Sequence, residues 1–74
     1  MSIFSKGNKE TVQNTVMNWR KTVGITQVEL ADNVGVSRQT IIALEKGDYV
    51  PSVLLALKIA QFFETSVEDL FNYE

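Results

Sequence analysis

Thr26-Gln27-Val28-Glu29-Leu30-Ala31-Asp32-Asn33-Val34-Gly35-Val36-Ser37-Arg38-Gln39-Thr40-Ile41-Ile42-Ala43-Leu44-Glu45-Lys46-Gly47 is the stretch on which the fold turns. Thr26 and Glu29 stand three apart ahead of an apolar-periodic run. That is the spacing of a capping box, in which hydroxyl and carboxylate satisfy each other's open backbone N–H groups. A helix is expected from here to about Val34, ended by Gly35 in the left-handed conformation. Ser37 then caps a second helix running to about Lys46. Only Gly35 and Val36 lie beyond the last turn of the first. So short a glycine-containing corner sets two helices at a steep angle.

The helix from Ser37 has two different sides. At about 100° per residue, Arg38, Gln39, Ile42, Ala43 and Lys46 fill an arc of about 140°. Ile41, Leu44 and Thr40 fall opposite and are the side chains expected to pack inward. The open arc carries an arginine and a glutamine in its first turn, where a recognition helix enters the major groove. Arg can grip guanine O6 and N7, and Gln can grip adenine N6 and N7, each with two hydrogen bonds. Ile42 and Ala43 suit a thymine methyl. These residues point to a helix-turn-helix that reads double-stranded DNA, with Arg38, Gln39, Ile42 and Ala43 at the bases.

Outward from this centre, further segments read as helical. Val12, Val16, Trp19 and Val23 recur at spacings of 4, 3 and 4, which predicts a first helix from about Thr11 to Val23 closed by Gly24. Ser52 caps a fourth helix after the loop of Gly47 to Pro51. Its run Val53 to Phe63 is apolar nearly all round, so it is expected to be the most buried. Ser66 and Asp69 open a short fifth helix through about Phe71. Phe62, adjacent to Phe63, is expected to turn away from it. The prediction is an all-α, five-helix domain over residues 11–74, preceded by an irregular arm over 1–10.

The composition excludes several classes of function. The chain has no cysteine and no histidine, which removes disulfides, zinc-finger ligation and thiol or imidazole catalysis. Its longest strictly apolar run, Val53 to Leu57, is far too short to span a bilayer, and the first residues lack a signal-peptide core. A soluble cytoplasmic protein is expected. The net charge of −2 runs against nucleic acid at first sight. Its distribution softens that: Lys6, Lys9, Arg20 and Lys21 face only Glu10 in residues 1–24, whereas Glu64, Glu68, Asp69 and Glu74 crowd residues 64–74 with no basic residue. A DNA-binding domain needs positive potential on one face alone.

The T-Q-x-E-L-A helix at Thr26–Ala31, the G-V-S-R-Q-T corner at Gly35–Thr40, the L-E-K-G end at Leu44–Gly47 and the later P-S with L-A-L-K-I-A resemble the Cro/CI-type, or XRE, helix-turn-helix family. The resemblance covers Asn14 to Phe71. It implies a compact lambda-repressor-like bundle of five helices and a transcriptional regulator of operator DNA. It places Arg38, Gln39 and Ala43 at base-reading positions and Gln27 at a phosphate. Lys46 and Tyr49 fall where the following loop meets the DNA backbone, and Ser37 adds a hydroxyl contact. Arg20 and Glu45 match a pair that ties the first helix to the third. The chain departs from the family pattern at Val28 and Ile42, where many members are polar, and at Glu64, where a Gly or Asn cap is common.

One such domain offers two strong base-reading side chains, which is little discrimination, so a two-fold homodimer on an inverted repeat is expected. Its interface is expected in the C-terminal region at Phe62, Phe71, Leu70 and Tyr73, with Val67 as a further apolar candidate. The end segment Phe71–Tyr73 is expected to pair as a short strand with Ser2, Ile3 and Phe4. No cofactor, metal or small-molecule effector is implied. A protein-interaction module, such as an antitoxin or assembly partner, is the competing function, favoured by the acidic balance and the apolar Ile42. An enzyme is the weakest reading, because no nucleophile–base pair, metal cluster or phosphate-cradling loop stands out.

Overall fold

Three of the four longer helices end the same way, on a glycine in the left-handed region: Gly24, Gly35 and Gly47 follow α1 (Val16–Val23), α2 (Gln27–Val34) and α3 (Arg38–Lys46). The computed structural model describes residues 11–73. Those residues also form α4 (Val53–Phe62), α5 (Val67–Leu70) and two short strands, β1 (Val12–Asn14) and β2 (Phe71–Tyr73).

The capping box at α2 forms as the sequence predicts: Glu29 N–H donates to Thr26 Oγ1 at 3.1 Å, and Thr26 N–H donates to Glu29 Oε1 at 2.9 Å. Ser37, Ser52 and Ser66 each accept from the backbone N–H three residues on. α4 is the exception at its C-terminus. Glu64, with φ 56°, takes the left-handed position that glycine fills elsewhere. Its N–H reaches Gln61 O at 3.1 Å and Thr65 N–H reaches Ala60 O at 2.9 Å, the two bonds that close a helix end of this kind.

The first helix is shorter than expected, and the fold is not purely α-helical. Val12–Asn14 leave the helical pattern and pair antiparallel with Phe71–Tyr73, in the register Val12 to Tyr73, Gln13 to Asn72 and Asn14 to Phe71. The reason is local. Asn14 Oδ1 accepts from Val16 N–H at 3.1 Å, capping α1 from two residues upstream. Thr15 instead bonds α5, through its N–H to Leu70 O at 2.9 Å and its hydroxyl to Asp69 O at 3.1 Å. Val23, expected on the inner face, is exposed. The final strand thus has β1 as its partner. The Ser2–Phe4 segment expected in that role, the 1–10 arm and its lysines lie outside the described residues.

The core joins Val16, Leu30, Ala31, Val34, Ile41, Leu44, Leu55, Ile59, Ala60, Phe63 and Leu70, with Trp19, Ile25 and Val36 packed at its margin. α4 lies against α2 and α5 and contributes only one face to this core. Its other face, expected to be buried, stands in solvent. Phe62 does not turn away from Phe63 as expected: the rings meet edge to face, with centroids 5.0 Å apart. α4 ends at Phe62, and successive residues of a helix are only about 100° apart, so two large neighbouring rings can still meet.

Candidate nucleic-acid interface

Arg38 and Gln39 follow the Ser37 cap directly and stand exposed in the first turn of α3. Ile42 and Ala43, one turn on, are half-buried beside them. Lys46 is exposed in the last turn and Tyr49 in the loop that follows. Ile41 and Leu44, on the opposite side, are wholly buried, and Thr40 is half-buried with its hydroxyl on that of Ser37 at 3.0 Å. The two-sided reading of this helix therefore holds: the inner side anchors α3, and the outer side presents guanidinium, carboxamide and ammonium groups.

Glu45 anchors α3 to the rest of the molecule. Its side chain is 1% exposed and that of Arg20 11%. Arg20 Nε and Nη2 donate to the two carboxylate oxygens at 2.7 and 3.1 Å, a two-point grip, and Nη1 donates to Ile25 O at 3.0 Å. The hydrogen bond to Glu45 raises the pKa of Arg20 above its ordinary value, burial opposes this, and the charge of Glu45 adds to the rise. Gln27 Nε2 also donates to Glu45 Oε1, at 3.0 Å. The pairing of Arg20 with Glu45 was legible in the sequence; the third arm, through Gln27, was not. It places the Gln27 carboxamide at the N-terminus of α2 with one amide hydrogen committed to Glu45. The Ser37 hydroxyl is likewise committed, to the cap of α3.

Asn14 is the other residue that sequence reasoning missed. Besides capping α1, its Nδ2 donates to Leu44 O at 2.8 Å, so one side chain joins β1 to the C-terminal end of α3. An Asn just ahead of a helical apolar run is a cap signal, here two residues before Val16. That signal was hidden by the continuous spacing from Val12.

An open cleft lies between α1, the first turn of α2 and the first turn of α3, bordered by Arg20, Lys21, Thr26, Gln27, Val28 and Arg38. No carboxylate lines it. The acidic residues Glu64, Glu68 and Asp69 belong to the α4–α5 turn and α5. The net negative charge thus leaves a cationic surface beside Arg38. Such a surface, next to the open N–H groups of a helix start, suits phosphate.

The family model for the helix-turn-helix matches residues 16–70, from the first residue of α1 to the last of α5. The chain belongs to the helix-turn-helix family, of the Cro/CI or XRE type. It is 52% identical over 63 residues to an HTH-type transcriptional regulator of Methanocaldococcus jannaschii, covering 85% of this chain and 96% of that one. It is 30% identical over 59 residues to the cryptic phage CTXphi transcriptional repressor RstR of Vibrio cholerae, covering 80% of this chain and 53% of the repressor. The N-terminal DNA-binding domain of SinR from Bacillus subtilis superposes with a TM-score of 0.66 at 26% identity, over 72% of this chain and 78% of that domain.

Within this helix-turn-helix protein the residues expected at a C-terminal interface differ in their burial within one protomer. Leu70 is fully buried in the core cluster. Phe62, Phe71 and Val67 pack against that core as half-buried side chains. Tyr73 alone of the five is exposed.

Proposed function

We propose that this helix-turn-helix protein is a sequence-specific DNA-binding transcriptional regulator, acting in the cytoplasm as a homodimer that represses from an inverted-repeat operator. α3 enters the major groove. Arg38 and Gln39 read base edges, and Ile42 and Ala43 lie against the groove floor. Gln27, Ser37, Lys46 and Tyr49 hold the phosphate backbone on either side. Arg20 and Glu45 keep α1 and α3 in register and do not touch DNA.

The observation that carries the reading is the exposure of Arg38 and Gln39 in the first turn of a helix whose other side is fully packed, beside a cleft free of carboxylates. Repression is favoured by the likeness to RstR, a transcriptional repressor by name. A dimer doubles the reading surface, with recognition helices about 34–36 Å apart, one turn of DNA. Among the described residues no helix is long and apolar enough to cross a membrane.

Selection from a pool of random duplex DNA tests the proposal. The expected product is an inverted repeat whose half-site centres lie about 10 base pairs apart. A pool that emerges unenriched, at salt low enough for phosphate contacts to form, would overturn it.

A further inference from the structure

Two neighbouring residues tie the last turn of α3 to the rest of the molecule. Glu45 takes the grip of Arg20, and Leu44 O, one residue earlier, accepts from Asn14 Nδ2 at 2.8 Å. Asn14 belongs to β1, so this tie spans thirty positions of sequence. Its carboxamide oxygen is in use as well, accepting from Val16 N–H at 3.1 Å, and the group is therefore fixed from both ends. Leu44 O also accepts from Gly47 N–H at 3.0 Å, and Ala43 O accepts from Asp48 N–H at 2.9 Å. These bonds satisfy carbonyls that an α-helix leaves open in its last turn. Lys46, exposed, stands between the tied carbonyl and the turn at Gly47. Asn14, Lys46 and Gly47 border one shallow depression between β1 and α3.

We infer that Asn14 is a positioning residue for DNA binding: it holds the end of α3 so that Lys46 meets the phosphate backbone from a turn that is already ordered. The inference rests on the DNA-binding reading above and adds to it a residue that acts through Lys46. Helix ends fray, and a lysine on a frayed turn must be immobilised at the moment of binding. Fixing a segment beforehand in its bound arrangement removes that cost. The first turn of α3 needs no such help, because Ser37 caps it and Ile41 is wholly buried beneath it. Arg38 and Gln39 accordingly keep their base preferences when the Asn14 tie is lost. Capping α1 is the side chain's other task, and serine separates the two. A serine hydroxyl accepts from the backbone two residues on, as Asn does, and is too short to reach Leu44 O.

Asn14→Ser should melt cooperatively and bind a selected DNA duplex about three- to tenfold more weakly than wild type, the net effect of one hydrogen bond. The deciding readout is a cycle with Lys46→Ala. In the Lys46→Ala background Asn14→Ser should lose little further affinity and leave the salt dependence unchanged, because the two residues act as a unit. Lys21, in the cleft beside Arg38, supplies the control: in the Lys21→Ala background the loss should be as large as in wild type. Without DNA, hydrogen exchange at the Gly47 and Asp48 amides should quicken in Asn14→Ser relative to the amides of α2. Additive losses with Lys46→Ala, an equal shortfall with Lys21→Ala, or unchanged exchange at Gly47 would each overturn the inference. Should Asn14→Ser lose the fold, Asn14→Thr, with the same hydroxyl and a side chain suited to a strand, takes its place in every arm. Quickened exchange in a protein that enriches no DNA sequence would sink the DNA-binding reading and leave the tie between Asn14 and Leu44 standing.

Discussion

Arg20 grips Glu45 through two hydrogen bonds of 2.7 and 3.1 Å, and one of the two carboxylate oxygens it holds also accepts from Gln27. A single carboxylate, closed off from solvent, therefore fixes α1, the start of α2 and the end of α3 in one arrangement. Removing it strands a guanidinium at the protein surface margin and releases the Gln27 carboxamide.

Glu45→Ala is accordingly expected to lower unfolding free energy by about 3–5 kcal/mol, as loss of one partner of a buried, hydrogen-bonded pair does. Urea denaturation measures it. The double variant Arg20→Met with Glu45→Ala should cost less than the sum of the two singles, by about 0.5–3 kcal/mol of coupling. The folded fraction of Glu45→Ala should still select the same DNA sequence as wild type. Unchanged stability with lost specificity would mean that Glu45 faces the nucleic acid.

Arg38→Ala and Gln39→Ala test the readout. Each should weaken binding to the selected site by about 1–3 kcal/mol and relax preference at one base position, with a smaller loss on unrelated DNA. Lys46→Ala should instead weaken both alike and reduce the slope of log affinity against log salt by about 1. Equal affinities for wild type and both α3 first-turn variants would exclude α3 as the reading helix.

Glu64 offers a gain in stability. Its φ of 56° puts an L side chain in a region that costs roughly 1–2 kcal/mol relative to right-handed backbone. Glu64→Gly should stabilise the domain by about 0.5–1 kcal/mol after the larger chain entropy of unfolded glycine is subtracted. For so small a domain that is a rise of several degrees in Tm, roughly 4–8 °C per kcal/mol. A lower Tm would show that the carboxylate itself is engaged.

Asp69 sets part of the acid limb of stability. Hydrogen bonds from the Thr65 hydroxyl, at 2.8 Å, and from Ser66 hold its carboxyl below the ordinary 3.8. A carboxyl with a depressed folded-state pKa adds stability above its unfolded value and loses it as pH falls through the folded one. Wild type and Asp69→Asn should therefore differ in Tm near neutral pH and converge only as the pH falls below the ordinary range of an Asp carboxyl. Parallel curves down to pH 2 would contradict this.

The centre of the molecule was readable from local chemistry. Thr26 with Glu29, Ser37, Gly24 and Gly35 each mark a helix end by local chemistry, and the side of α3 that packs follows from its period alone. Glu64 stood out only through the family resemblance, as a charged residue where a Gly or Asn cap is common. What escaped was set by contacts distant in sequence. Asn14 bonds Leu44, and Val12 pairs with Tyr73. Against those partners the 4-3-4 spacing from Val12 to Val23 carried no weight, and it misplaced both the start of α1 and the surroundings of Val23. The uninterrupted apolar run of α4 signalled burial without saying by what. A period analysis reads only that a face avoids water, and Val53, Leu54 and Leu57 do not find their cover within one protomer.

The pairing of β1 with β2 has a mechanical consequence. Val12 lies opposite Tyr73 and Asn14 opposite Phe71, so the two strands open toward residues 11 and 73 together. Tension applied through those two points loads the ladder one rung at a time, first Val12 with Tyr73, then Gln13 with Asn72, then Asn14 with Phe71. Rungs broken in succession resist far less force than rungs sheared at once. The ribbon is thus a tear strip: it peels under light load up to Asn14, where the side chain bonded to Leu44 O passes the strain directly into the far end of α3.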